Sequence, residues 1–193
     1  MLITTSAELS MQMTASMGLL IPVLVGIGAK IDIKNRIGNG LKILSLLITI
    51  LILYGNVYQV QLDQNAMLEG KIATTTMAED IINRLGEEEC MSADLEYCIL
   101  GLPAGNEMFR VSDIFDGANA YAKFGAWWLE PSCTRRSWNG VFAYLCGVNL
   151  PICPANTYYE MMDDREVVDM PAYPRDGFIK KKGNIVVVKV ADY

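Results

Sequence analysis

The chain has 193 residues, enough for one domain or two small ones, and its 52% hydrophobic and 20% charged side chains exclude a disordered tail. Its net charge of −6 conceals a division: residues 1–60 carry four basic and two acidic side chains, whereas residues 61–193 carry twelve and twenty. This is the composition of a membrane segment followed by a soluble domain, and the acidic second part repels phosphate backbones, so nucleic acid is no expected partner.

In chain order, Leu9–Ala29 is a 21-residue stretch without charge, thinned by Ser10, Gln12, Thr14 and Ser16 and interrupted by Pro22. It is a candidate membrane span, because neighbouring helices can supply the donor that proline lacks. Lys30, Lys34, Arg36 and Lys42 outnumber Asp32 in the turn that follows, which places this turn in the cytoplasm. Ile37–Val60 then gives 24 residues with Lys42 as the only charge. A helix of that length covers about 36 Å, enough to cross the hydrocarbon layer. Tyr54 and Tyr58 sit near its far end, where amphipathic rings favour the interface. The expected architecture is a membrane α-helical hairpin, with spans at 9–29 and 37–60 in a membrane region of residues 1–60. A small extracytoplasmic α/β domain follows at residues 61–193. The lipid bilayer is the first expected partner.

Asp63–Leu85 has helical periodicity, with Leu68, Ile72, Met77, Ile81, Ile82 and Leu85 among polar residues. It is expected to continue the membrane helix after a short break and to end at Gly86. Thr74, Thr75 and Thr76 fit a helix less comfortably because they are branched. Leu95–Leu100 reads as a strand ended by Gly101 and Pro103, and Met108–Ser112 as a second short strand. Ala118–Leu129 reads as a helix capped by Asp116 or Asn119. Phe178–Lys180 and Ile185–Val190 flank Lys181-Lys182-Gly183-Asn184 and predict a hairpin.

The chemistry is narrowed by the absence of His, which removes Ser-His-Asp and Cys-His mechanisms and every imidazole-dependent zinc site. No cofactor or metal is expected: no phosphate-binding glycine loop occurs, and cysteine spacing is poor for zinc. Asp113 with Asp116, and Asp163 with Asp164, are paired acids that suit turns and caps better than catalysis. All five cysteines follow the last span. In an oxidising compartment four of them can form two disulfides. Cys90 with Cys98 and Cys146 with Cys153 are the shortest closures, but spacing does not choose among the fifteen pairings. Trp127, Trp128 and Trp138 with Tyr121, Phe124, Phe142 and Tyr144 surround Arg135 and Arg136. Such a cluster can pack a core, meet a membrane or subunit, or stack on sugar while guanidinium groups hold phosphate. Arg135, Arg136, Trp127, Trp128 and Trp138 are therefore candidate substrate or phosphate contacts.

The basic turn with the apolar run after it, the helix containing AEDIINRL, the strand YCILG and the C-terminal MPAYPRDGFIKKKGNIVVVKV resemble the end of the GtrII family of bacterial membrane glucosyltransferases. Members resemble GT-C enzymes and transfer glucose from undecaprenyl phosphate to O-antigen or a related envelope glycan. The resemblance implies an inner-membrane, multi-pass protein with residues 61–193 on the periplasmic side, and undecaprenyl-phosphate-glucose and envelope glycan as partners. It covers only the C-terminal portion of such an enzyme. The catalytic acids of GT-C enzymes belong to loops near the beginning, which implies a missing or separately encoded N-terminal membrane region. No catalytic residue is assigned here. The alternative is a noncatalytic membrane-anchored module that binds a glycan or another protein.

Overall fold

In the computed structural model, which describes residues 36–126 and 131–192, the apolar run and the amphipathic run after it form one helix, α1 (Arg36–Glu87). The expected break after Val60 is absent. Residues 61–65, Gln-Leu-Asp-Gln-Asn, contain neither glycine nor proline, so nothing there interrupts the backbone ladder. At 52 residues the helix is roughly 78 Å long. Ile43, Leu47, Leu51, Tyr54 and Tyr58 are all exposed on it. Leu44, Leu46, Ile48, Ile50 and Leu53 are exposed around the rest of its circumference, so this segment is apolar over most of its surface and suits lipid better than water. Among the described residues α1 is the one helix long and apolar enough to cross a membrane. The first arm of the expected hairpin, 9–29, lies outside the described residues.

The helix ends differently from expectation. Gly86 lies inside α1, and the left-handed residue is Glu89 (φ 54°), after which the Cys90 N–H reaches back to the Leu85 carbonyl at 2.9 Å. The chain then enters β1 (Glu96–Leu100), within a residue of the predicted strand. Met108–Ser112 is not a strand. The Ser112 N–H is bound by the Glu69 carboxylate of α1 at 2.9 Å, so this segment lies along the helix and joins no sheet. Of the helix predicted at 118–129, the described part, 118–126, holds only a 3-10 turn (Ala120–Ala122), and a short α2 (Asp113–Gly117) precedes it. Trp127 and Trp128 lie outside the described residues.

Three helices were unforeseen: α3 (Pro131–Gly140), continued by a π turn (Val141–Leu145), α4 (Ala155–Asp163) and α5 (Arg165–Val168). The predicted hairpin is present as β2 (Ile179–Lys182) and β3 (Ile185–Lys189), with Gly183 at φ 65° in the two-residue turn. The sheet order is β1-β3-β2, with β1 parallel to β3 and β2 antiparallel to it. The valine-rich β3 is central and buried on both faces, which explains its unbroken apolar run.

Strand alternation divides the core. Tyr97, Ile99, Val186 and Val188 pack toward Met77, Ile81 and Leu85 of α1, Trp138 of α3 and Phe142 of the π turn. Cys98, Leu100 and Val187 pack with Cys153, Tyr158, Val167 and Met170 on the other side. The domain is thus a helix–sheet–helix sandwich on the end of α1. Nearer the apolar half, Ala66 of α1 packs with Phe115, Ala118 and Ala122 in a third, smaller cluster.

Candidate interaction site

Where the α/β domain begins on α1, Asp63 is buried and saturated with donors. It accepts from the Asn119 N–H (2.9 Å), Asn119 Nδ2 (2.9 Å), Tyr121 Oη (2.7 Å) and Gln59 Nε2 (3.0 Å). Burial alone pushes its carboxyl up, but hydrogen bonds from Asn119, Tyr121 and Gln59 outweigh it and hold the group below its ordinary value. This network ties the α2 region to the helix just outside the apolar segment. One turn further on, Ala66 and Gly70 admit close packing: a Cβ on Gly70 would collide with the Phe124 carbonyl.

Beside this tie a cleft of about 630 Å³ runs along α1, walled by Ile72, Met77, Met108 and Val111, with Glu69 and Arg110 as its charged members. Glu69 is already engaged by the Ser112 N–H and hydroxyl (2.8–2.9 Å). Ile72 and Met108 are exposed apolar side chains within it. A second hollow of about 360 Å³ is more polar and includes Asn106, Glu107, Arg175, Lys189 and Asp192. Its polar groups serve the fold: Asn106 Nδ2 donates to the Tyr173 and Val190 carbonyls, and Lys189 Nζ to those of Val168 and Met170.

The described residues among those singled out from sequence, Arg135, Arg136 and Trp138, do not converge. Trp138 is fully buried, stacked on Phe142 with centroids 5.6 Å apart, and donates its indole N–H to the Gly101 carbonyl at 2.9 Å. It is a core residue and cannot stack on a sugar. Arg135 donates Nη1 to the Cys153 carbonyl, and Arg136, next along α3, is exposed. Consecutive helical residues point about 100° apart, so the two guanidinium groups do not form one phosphate clamp.

Of the paired acids, Asp164 acts structurally. Asp164 caps α5 by accepting the Glu166 N–H and pairs with Lys182 at 2.5 Å, while Glu166 pairs with Lys180 at 2.9 Å. Hydrogen bonding from Lys182 holds the Asp164 carboxyl below its ordinary value. The lysine cluster of the hairpin is thereby met by acids of the chain itself. Among the described residues no group of His, Cys, Asp or Glu side chains has the arrangement of a metal site.

All five cysteines carry reduced thiols in this structure. Cys90 and Cys98 lie in opposite core layers, as do Cys146 and Cys153, so both shortest closures would have to pass through the sheet. The thiols that meet are Cys98 and Cys153: Cys98 donates to the Cys153 sulfur, favouring the Cys153 thiolate, and Arg135 adds to the effect.

Sequence reasoning missed another feature of α1. At about 100° per residue, Ser45, Thr49, Ile52, Asn56 and Gln59 fall within roughly 40° of Asp63 around the helix. Thr49 Oγ1 and Asn56 Nδ2 bond back to the Ser45 and Ile52 carbonyls (2.9 and 2.8 Å). The face that packs the domain above therefore continues through the apolar segment as a small and polar stripe. The alternating spacing of four and three residues was the available signal.

No protein-family model, curated protein or solved structure matches the chain.

Proposed function

We propose that this chain is a membrane-anchored, noncatalytic protein-interaction module whose partner is another membrane protein. The observation that carries the reading is the continuity of α1: a single helix is lipid-suited in one half and forms the wall of a largely apolar, open cleft in the other. Apolar Ile72 and Met108 beside charged Glu69 and Arg110 suit a protein surface with an apolar centre and polar rim. Of the aromatic side chains clustered around Arg135 and Arg136 in the sequence, Trp138 and Phe142 are buried in the core and cannot stack on a glycan. Within the bilayer, Ser45, Thr49 and Asn56 supply the small and hydrogen-bonding residues through which spans pair. The basic residues before α1 favour an extracytoplasmic domain.

The test is site-specific photocrosslinking in native membranes from Ile72 and Met108, with exposed Tyr144, outside the cleft, as control. We expect one discrete adduct from the cleft positions, none from Tyr144, and loss of the Met108 adduct in Ile72→Glu at unchanged thermal stability. Equal labelling from Tyr144 overturns the reading. Transfer of glucose by this chain from undecaprenyl-phosphate-glucose to an envelope glycan would replace it with the GtrII-type activity.

A further inference from the structure

Cys98 and Cys153 are both fully buried and belong to the same core layer. Backbone pairing sets them side by side. The Cys153 N–H donates to the Tyr97 carbonyl at 3.0 Å, the Tyr97 N–H donates to the Pro151 carbonyl at 2.7 Å, and Tyr97 and Ile152 form a parallel bridge. One position further along, Cys98 and Cys153 are register neighbours. Adjacent strands lie about 4.8 Å apart, inside the Cα separation of about 4.4–6.8 Å that a disulfide spans.

We propose that Cys98 and Cys153 form a disulfide that clamps the 150–153 segment onto the otherwise open edge of β1. The bond would close a loop of roughly 55 residues containing α2, α3 and the Met108–Ser112 side of the cleft. It would also bury a sheet edge that could pair with another chain. The pairing stands apart from the proposed interaction function.

Formation requires a disulfide oxidant, either a protein thiol–disulfide oxidoreductase or oxidised glutathione. The Cys153 thiolate attacks one oxidant sulfur; a mixed disulfide forms and one oxidant thiolate leaves. The Cys98 thiolate then attacks the Cys153 sulfur and expels the second oxidant thiolate. Two electrons pass to the oxidant, its disulfide becomes two thiols, and the two cysteine protons are released to the leaving groups or solvent. Because both sulfurs are buried in the folded domain, exchange takes place while 150–153 is undocked.

The experiment uses the full chain in detergent, unfolded and refolded in a glutathione redox buffer, alkylated, digested and mapped without reductant. We expect a Cys98–Cys153 linked peptide 2 Da lighter than the two thiol peptides together. Reduction should lower the Tm by about 10 °C. In Cys98→Ala/Cys153→Val, whose apolar side chains fill the same core positions, reduction should leave the Tm unmoved. Alkylation of both residues after refolding in that buffer, or their linkage to Cys90 or Cys146 instead, overturns the proposal. Neither readout involves a partner or a side of the membrane, so failure here is distinguishable from failure of the interaction reading.

Discussion

Asp63 is the first charged side chain after the apolar stretch, and the three hydrogen bonds that it accepts from Asn119 and Tyr121 hold the α2 region against α1. Asp63→Ala would strand the donors of Asn119 and Tyr121, at a cost of about 1–3 kcal/mol. Since the folded carboxyl titrates below its unfolded value, its contribution is fully present above the unfolded pKa and is lost as pH falls through the folded one. Denaturant unfolding in detergent should therefore show a wild-type advantage over Asp63→Ala that is constant from pH 7 to about 5 and narrows below about 4. An undiminished gap at low pH would rule out the carboxylate as its source. The role of Asp63 was not legible in the sequence, because Asn119 and Tyr121 lie more than fifty residues away and no local pattern marks them. Trp138 misled for a related reason. Its proximity to Arg135 and Arg136 is a proximity along the chain, whereas the fold turns Trp138 into the core and Arg136 to solvent.

At the scale of elements, what could be read locally was read. The hairpin declares itself through Gly183-Asn184 followed by the β-branched run of β3, and β1 through its alternation. Met108–Ser112 alternates as a strand would, but its extended backbone is satisfied by a carboxylate of α1, a tertiary partner that periodicity does not encode. The close contact of α1 with its neighbour rests on one position. Replacing Gly70 with Ala gains about 1 kcal/mol of helix propensity. Its new Cβ, however, would meet the Phe124 carbonyl and the Phe115 ring at less than ordinary contact distance. Backbone cannot move aside as a flexible side chain can, and overpacking of this kind costs roughly 1–3 kcal/mol, so the clash prevails. Gly70→Ala should increase limited proteolysis across 113–126. Gly55→Ala, on a part of α1 with no neighbour within 4 Å, should leave it unchanged. Equal protection of both variants would show that α2 does not rely on this contact.

For the whole molecule the consequential feature is that α1 has no hinge between its lipid-suited half and the cleft. The polar stripe of Ser45, Thr49 and Asn56 and the cleft at Ile72 and Met108 are therefore held at a fixed angle, and a partner that uses both must match that angle. One alanine inserted between Tyr58 and Gln59 turns the stripe by about 100° relative to the cleft and raises the domain by about 1.5 Å. Four inserted alanines turn it by only about 40° and raise it by about 6 Å. The insertion point lies on the membrane side of Gln59, so the contacts of Gln59, Asp63 and Ala66 with the α2 region stay in register. If a partner reads the angle, the Ile72 crosslink should fall severalfold with one alanine and recover substantially with four, at equal membrane insertion and thermal stability. If it reads height alone, the order reverses, because the longer insertion displaces the cleft further. Unchanged crosslinking with both would mean that the cleft binds independently of the span, with the helix acting only as an anchor.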